Sequence, residues 1–213
     1  MFHDREDAGQ QLAAILIKRS FERPLVLAIP RGGVVIGAIL AQALGAELDV
    51  TLARKLRAPG QPELAFGAIS ESGHVYVSGD ADEGPGVTDE YFHREKERQT
   101  AVIESCRQAV RSVRPKASIQ GRSVIVADDG IATGSTMMAA LQAISSHHPA
   151  ELIVAVPVAP HDRIHELEMH CTEVVCPLKV RNFWAVGQYY EDFPNIEDAQ
   201  VINLLRKFAT QPA

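Results

Sequence analysis

Cysteine is scarce: Cys106, Cys171 and Cys176 are the only three in 213 residues, too few and too scattered for a disulfide framework. A basic excess is missing as well. Lysine and arginine number 21 against 27 acids, a net charge of −6, which disfavours a general role on nucleic acid or an anionic membrane surface. No apolar run approaches the ~20 residues of a membrane span. The opening stretch MFHDREDAGQQLAAIL carries charges where a signal peptide needs its apolar core. Internal repeats and low-complexity segments are absent too. The expectation is a cytoplasmic globular protein, long enough for one α/β domain with a full core and short for two.

What is present alternates between two periods. Apolar positions predict helices over 8–19, over the stretch after PRGG up to Gly45, over 88–113 (with Val102, Ile103, Cys106, Ala109, Val110 and Val113 on one face), over 135–146, near 161–169 and over 201–208. Short apolar runs predict strands at 24–29, 47–53, 123–127, 151–157 and 172–176, and LAFGAIS with HVYVS reads as a hairpin. The Pro- and Gly-rich stretches 56–63 and 79–86 read as loops. Strand following helix in this way predicts a central, mainly parallel sheet with helices on both faces. Ligands of such sheets bind beyond the carboxyl ends of the strands. PRGG, ARK, DDGIATGST and the segment after Cys176 all fall at such ends and are expected to converge.

VIVADDGIATGST, residues 124–136, carries the chemistry. A glycine turn opening a helix presents free backbone N–H groups and the positive end of the helix dipole, a phosphate site, to which Ser135 and Thr136 add hydroxyl donors. No lysine stands here, so the P-loop signature does not apply, and TGST alone also reads as an ordinary helix cap. Asp128 and Asp129 add a second requirement. Adjacent carboxylates at a buried strand end repel and lose hydration. The vicinal hydroxyls of a ribose would compensate, which predicts that both acids serve a ligand rather than the fold.

The same stretch resembles the 5-phosphoribosyl-1-pyrophosphate (PRPP) motif of type I phosphoribosyltransferases. Gly130 departs from it, since a branched apolar residue usually follows the two acids. PRGG, RKL-APG-PELA-GA, DDGIATG and AVG-YY-DF together resemble a group of bacterial phosphoribosyltransferases of unassigned acceptor, over nearly the whole chain. The resemblance implies a type I phosphoribosyltransferase-like α/β fold, with a flexible loop and β-hairpin at about 55–87 and a small C-terminal hood at about 177–196. It implies that Gly130, Ile131, Ala132, Thr133, Gly134, Ser135 and Thr136 hold PRPP together with Asp128 and Asp129. It also implies that Pro30-Arg31-Gly32-Gly33 binds pyrophosphate through backbone N–H groups, often across a cis peptide. Arg54 and Lys55 would meet the leaving pyrophosphate, with Lys55, Asp128 and Asp129 as the catalytic candidates.

Weaker candidates for the acceptor are Glu63 in the loop, and Phe183 and Trp184, with Tyr189 and Tyr190, in the hood. Ala132 stands where 6-oxopurine enzymes place an aspartate that acts on the base, so recognition must use groups elsewhere. Mg²⁺ is expected mainly on the ligand's own oxygens, with no dedicated protein metal site; His161 and His165 read as surface residues. The expected partners are small molecules, PRPP and an acceptor that the sequence does not name, with no nucleic acid and no membrane; a homodimer is allowed. Two other readings are a PRPP-binding regulator of the same fold with little or no catalysis, and a dinucleotide-dependent oxidoreductase. The second lacks its G-x-G-x-x-G turn.

Overall fold

The computed structural model describes residues 1–77 and 87–209, the side chains of 62–64 and 209 excepted. All four residues of β1 (Leu25–Ala28) are buried, with no polar position alternating among them, so both faces of the strand must be covered. It pairs in parallel with β2 (Glu47–Val50) and with β6 (Ser123–Ala127). β7 (Glu151–Ala155) and β9 (Glu173–Val175) extend the sheet in the order β2-β1-β6-β7-β9, each pair parallel.

The period of two then sorts two cores. Val26, Ala28, Ile125 and Ala127 face α1 (Arg5–Leu16), α2 (Gly33–Leu44), α3 (Asp89–Arg111) and α6 (Asp198–Ala209). Leu25, Leu27, Val124 and Val126 face α4 (Ser135–Ser145) and α5 (His161–Glu168). Truncating Ile125 or Leu27 to alanine is expected to cost about 2–5 kcal/mol through the cavity left in a close-packed layer. The expected parallel sheet with helices on both faces is the architecture observed. No described helix is long and apolar enough to cross a membrane.

Several boundaries differ from the sequence expectation. α1 begins three residues early, where the Asp4 side chain accepts from the Asp7 N–H at 2.8 Å. Ala109, assigned above to the buried face of α3, is exposed. The stretch 56–63 is not a loop. β3 (Ala53–Ala58) and β4 (Gln61–Ser70) pair antiparallel through it, turning at Gly60 with φ 69°. Pro62 is tolerated because the register shifts twice beside it, between Leu56 and Arg57 and between Arg57 and Ala58. β5 (Val75–Val77) completes the expected hairpin with β4. The loop predicted at 79–86 lies outside the described residues. β8 (Val158–Pro160) and β10 (Leu178–Val180) form a two-stranded parallel pair. With three residues each, they are too short to leave a period in the sequence.

Candidate active site

The four strand-end stretches do meet. β6 runs out at Ala127 into Asp128 and Asp129, and the Asp129 N–H donates to Asp128 Oδ1 at 2.8 Å. The loop after β1 lies directly against them. A Cβ on Gly32 would fall 1.8 Å from Asp129 Oδ2, and one on Gly33 would fall 2.8 Å from the Ala127 carbonyl oxygen and 2.9 Å from Asp128 Cα. Only glycine lets the two loops approach this closely. The Pro30–Arg31 peptide between them is cis.

Arg5 is the residue that sequence reasoning missed. Its Nε donates to Asp129 Oδ2 at 2.8 Å and its Nη1 to the Pro194 carbonyl at 2.7 Å, and its guanidinium carbon lies 3.7 Å from the centre of the Phe193 ring. The signal was in plain view: an arginine in the first turn of a helix opposes the helix dipole and needs a reason to be there. Asp129 is therefore held by the fold, which corrects the expectation that both acids serve a ligand rather than the fold. Tyr190 is likewise structural. It is buried against Phe2 and Phe193 and donates its hydroxyl to the Asp129 carbonyl at 2.6 Å.

The two acids differ in charge balance. Burial and the charge of Asp129 push the Asp128 carboxyl well above the ordinary range, and the positive charge of Lys55 opposes this only in part. Burial also raises Asp129, but the hydrogen bond and charge of Arg5 pull it back. Among the described residues, one arginine and one lysine thus serve two half-buried carboxylates.

Beyond the acids, the Ile131 N–H donates to the Val158 carbonyl at 2.9 Å and fixes the turn to β8. Gly134, with φ 80°, then starts α4, whose first internal bond runs from the Met138 N–H to the Gly134 carbonyl at 2.9 Å. The amides just before Met138 are the helix's open donors, and the Thr133 and Ser135 hydroxyls lie 3.3 Å apart among them. The departure at Gly130 has a physical cause. A Cβ there would fall 2.6 Å from Val186 Cγ1 and 3.0 Å from Val158 Cγ1, so these valines fill the space that a branched side chain would take.

Arg54 and Lys55 are adjacent in sequence and diverge in space, since β3 sends neighbouring side chains to opposite faces. Arg54 lines a cavity of about 480 Å³ with Arg31, Leu52 and Cys106, and Arg31 stands 4.0 Å from Asp198 across it. Lys55 lies on the side of the acids. In the hood, Phe183 stacks on Tyr189 with ring centres 5.5 Å apart, while Trp184 is 88% exposed. The Glu63 side chain lies outside the described residues. His161 and His165 are exposed on α5, and among the described residues no three His, Cys, Asp or Glu gather as a metal site. Burial raises the thiols of Cys171 and Cys176 to about 11, which suits packing rather than reaction.

The model of the phosphoribosyl transferase domain matches residues 2–194. A Mycobacterium tuberculosis (strain CDC 1551 / Oshkosh) protein, named provisionally as a phosphoribosyl transferase, is 38% identical over 205 residues, which are 96% of this chain and 46% of that protein. The chain thus spans about half the length of the curated relatives it matches. The crystal structure of TT1426 from Thermus thermophilus superposes with a TM-score of 0.82 at 42% identity, covering 97% of this chain and 98% of that one. The AQ2163 protein from Aquifex aeolicus shares the fold at a TM-score of 0.50 and 14% identity, over 82% of this chain and 74% of its own. With a family model matched over most of its length, the chain belongs to the phosphoribosyl transferase domain family.

Proposed function

We propose that this chain is a phosphoribosyltransferase that uses PRPP and Mg²⁺ and releases pyrophosphate. The acceptor is a nitrogenous base or a related nitrogen nucleophile. The observation that carries this reading is the juxtaposition of an under-neutralised acid pair with an open helix N-terminus, a few residues apart on one strand end. A ribose 5-phosphate unit fits both at once.

In this reading the amides and hydroxyls of residues 132–136 hold the 5-phosphate. Asp128 and Asp129 accept hydrogen bonds from the two ring hydroxyls, and Arg5 keeps Asp129 turned towards them. The amides of Arg31, Gly32 and Gly33 face the pyrophosphate, with Lys55, on the side of the acids, and Arg31, from the same loop, as its cations; Arg54, on the opposite face of β3, is left out of this contact. Mg²⁺ arrives on the oxygens of PRPP as part of the substrate. Two carboxylates with one arginine between them suit a ligand that brings positive charge. The reaction breaks the bond from C1 to the pyrophosphate oxygen and forms one from C1 to the acceptor nitrogen, while positive charge develops on the sugar between the two. The electron pair of the broken bond leaves with pyrophosphate, and the acceptor's proton goes to solvent or to a base. Water must be kept from C1 meanwhile, a role for the β3–β4 hairpin above the acids and for the hood around Phe183 and Trp184.

The test is direct. The protein is incubated with PRPP, Mg²⁺ and a panel of bases, and pyrophosphate release is followed. Release that depends on one base supports transfer. Tight PRPP binding without release on any base would place the chain as a PRPP-binding regulator instead.

A further inference from the structure

The turn IATGST contains no cation, yet one reaches it from another element. Arg163 on α5 comes near the turn: its Cδ lies 3.9 Å from where a Cβ on Gly134 would stand. The head group is held beside it. Arg163 Nη1 donates to Glu166 Oε2 at 2.9 Å, and its Nε is 3.6 Å from Asp162 Oδ2. The other oxygen of Glu166, Oε1, accepts from the Tyr76 hydroxyl of β5 at 3.0 Å. Both ends of this arrangement are referenced to one strand. α5 follows β8 without a break, and β8 anchors the turn through the bond from Ile131 to Val158.

We propose that Arg163 is the cation of the 5-phosphate site. The proposal rests on the reading above that residues 132–136 hold that phosphate. A dianionic phosphate on the open amides of α4 lies within reach of a guanidinium whose last stem carbon stands 3.9 Å from the Cβ position of Gly134. Arginine offers paired donors that match two phosphate oxygens. The side chain is 35% exposed, so it can shift from Glu166 to the ligand without opening the core. Glu166 and Tyr76 are then positioning residues. They hold the guanidinium in place and tie it to the three-stranded sheet β3-β4-β5 that also carries Lys55.

Calorimetry with PRPP·Mg²⁺ and with ribose 5-phosphate tests this on Arg163→Met, Arg163→Lys and Gly134→Val. Charge-assisted contacts of this kind correspond to a loss of about 10- to 100-fold in affinity. Arg163→Met is expected to weaken both ligands by the same factor, because both carry the 5-phosphate, and Arg163→Lys to recover part of it. Unchanged affinity in Arg163→Met, with both ligands lost in Gly134→Val, would overturn the role of Arg163 and leave the phosphate turn standing. Weakening of PRPP alone would also overturn it, by placing the arginine at the pyrophosphate. If Gly134→Val binds both ligands normally, the reading of the turn itself fails.

Discussion

The two ends of the central sheet hold their carboxylates in opposite ways. At the amino end Glu47 lies between Arg114 at 2.6 Å and Arg122 at 2.5 Å. Glu151 accepts from the Ser123 hydroxyl at 2.5 Å and stands 3.5 Å from Arg19, which also pairs with Glu173. Asp49, further along β2, takes Arg111 at 2.8 Å and the Ala117 N–H at 2.9 Å. At the carboxyl end Asp128 and Asp129 share Arg5 and the more distant Lys55. The outcomes diverge accordingly. Burial opposes the charged form of Glu47, but Arg122 and Arg114 win and hold its carboxyl below the usual range. Burial and Asp129 win at Asp128 and hold its carboxyl above that range. The partner count decides the sign: the chain closes one end with arginines and leaves the other short, as the proposed ligand site requires.

The largest effect is expected at the phosphate turn. Gly134→Val places a β-branched residue at φ 80° and should abolish measurable PRPP binding in calorimetry while α4 is retained by circular dichroism. Normal binding would make the carboxyl end a structural cap and erase the contrast.

Next come the cations proposed to face pyrophosphate. Truncating charge-assisted contacts that a bound ligand desolvates costs roughly 2–5 kcal/mol, or about 30- to several-thousand-fold in affinity. Arg31→Ala and Lys55→Ala should weaken PRPP within this range and ribose 5-phosphate hardly at all, with part of the Lys55 effect appearing in turnover. Equal weakening of both ligands would remove these cations from the pyrophosphate.

Arg122→Met probes the opposite end. Glu47 keeps Arg114, so the cost in urea unfolding should be about 2 kcal/mol, below the full value for an orphaned buried charge. PRPP affinity should stay within about twofold. A large loss of affinity would mean that the two ends are not independent.

The smallest effect has the most specific sign. Asp128→Asn removes an uncompensated charge and should raise the melting temperature of the ligand-free protein by about 2–4 °C. Asp129→Asn leaves Arg5 without its carboxylate and should lower it. The pH dependence follows from the direction of each shift. Asp128, raised in the fold, contributes stability below its unfolded value of about 3.9 that is lost as pH rises through the folded value. Glu47, lowered in the fold, contributes stability above its unfolded value that is lost as pH falls through the folded one. Melting curves across the acid range should therefore flatten on the alkaline side in Asp128→Asn and on the acid side in Glu47→Gln. Parallel curves for both variants would mean that the two ends are charged alike.

Legibility in the sequence followed the same division. The parallel strands could be read because burial on both faces leaves unbroken apolar runs such as VIVA and PLVLAI. The turn that opens α4 and the acid pair before it could be read because both are local to thirteen residues. The partner of Asp129 could not, because Arg5 is 124 positions away and nothing between them marks the contact. The 56–63 stretch misled for another reason. Proline and glycine signal a turn, but they do not say that a two-residue turn suffices when a register shift absorbs the proline. Lys55 and Arg54 could be named as cations, while their separation onto two faces needed the strand to be known first.

All five strands of the central sheet are complete by Val175, yet Asp129 is held by groups from both sides of it in sequence: Arg5 before the first strand, Tyr190 after the last, with Pro194 bracing the arginine across 189 positions. Synthesis delivers these in order. A growing chain can build its sheet, and display its acid pair, well before the segment that steadies Asp129 has left the ribosome. The bracing of Asp129 thus comes later than the sheet that carries it, and a break anywhere between β9 and Tyr190 would spare the five central strands while cutting Tyr190 and Pro194 off from them in sequence.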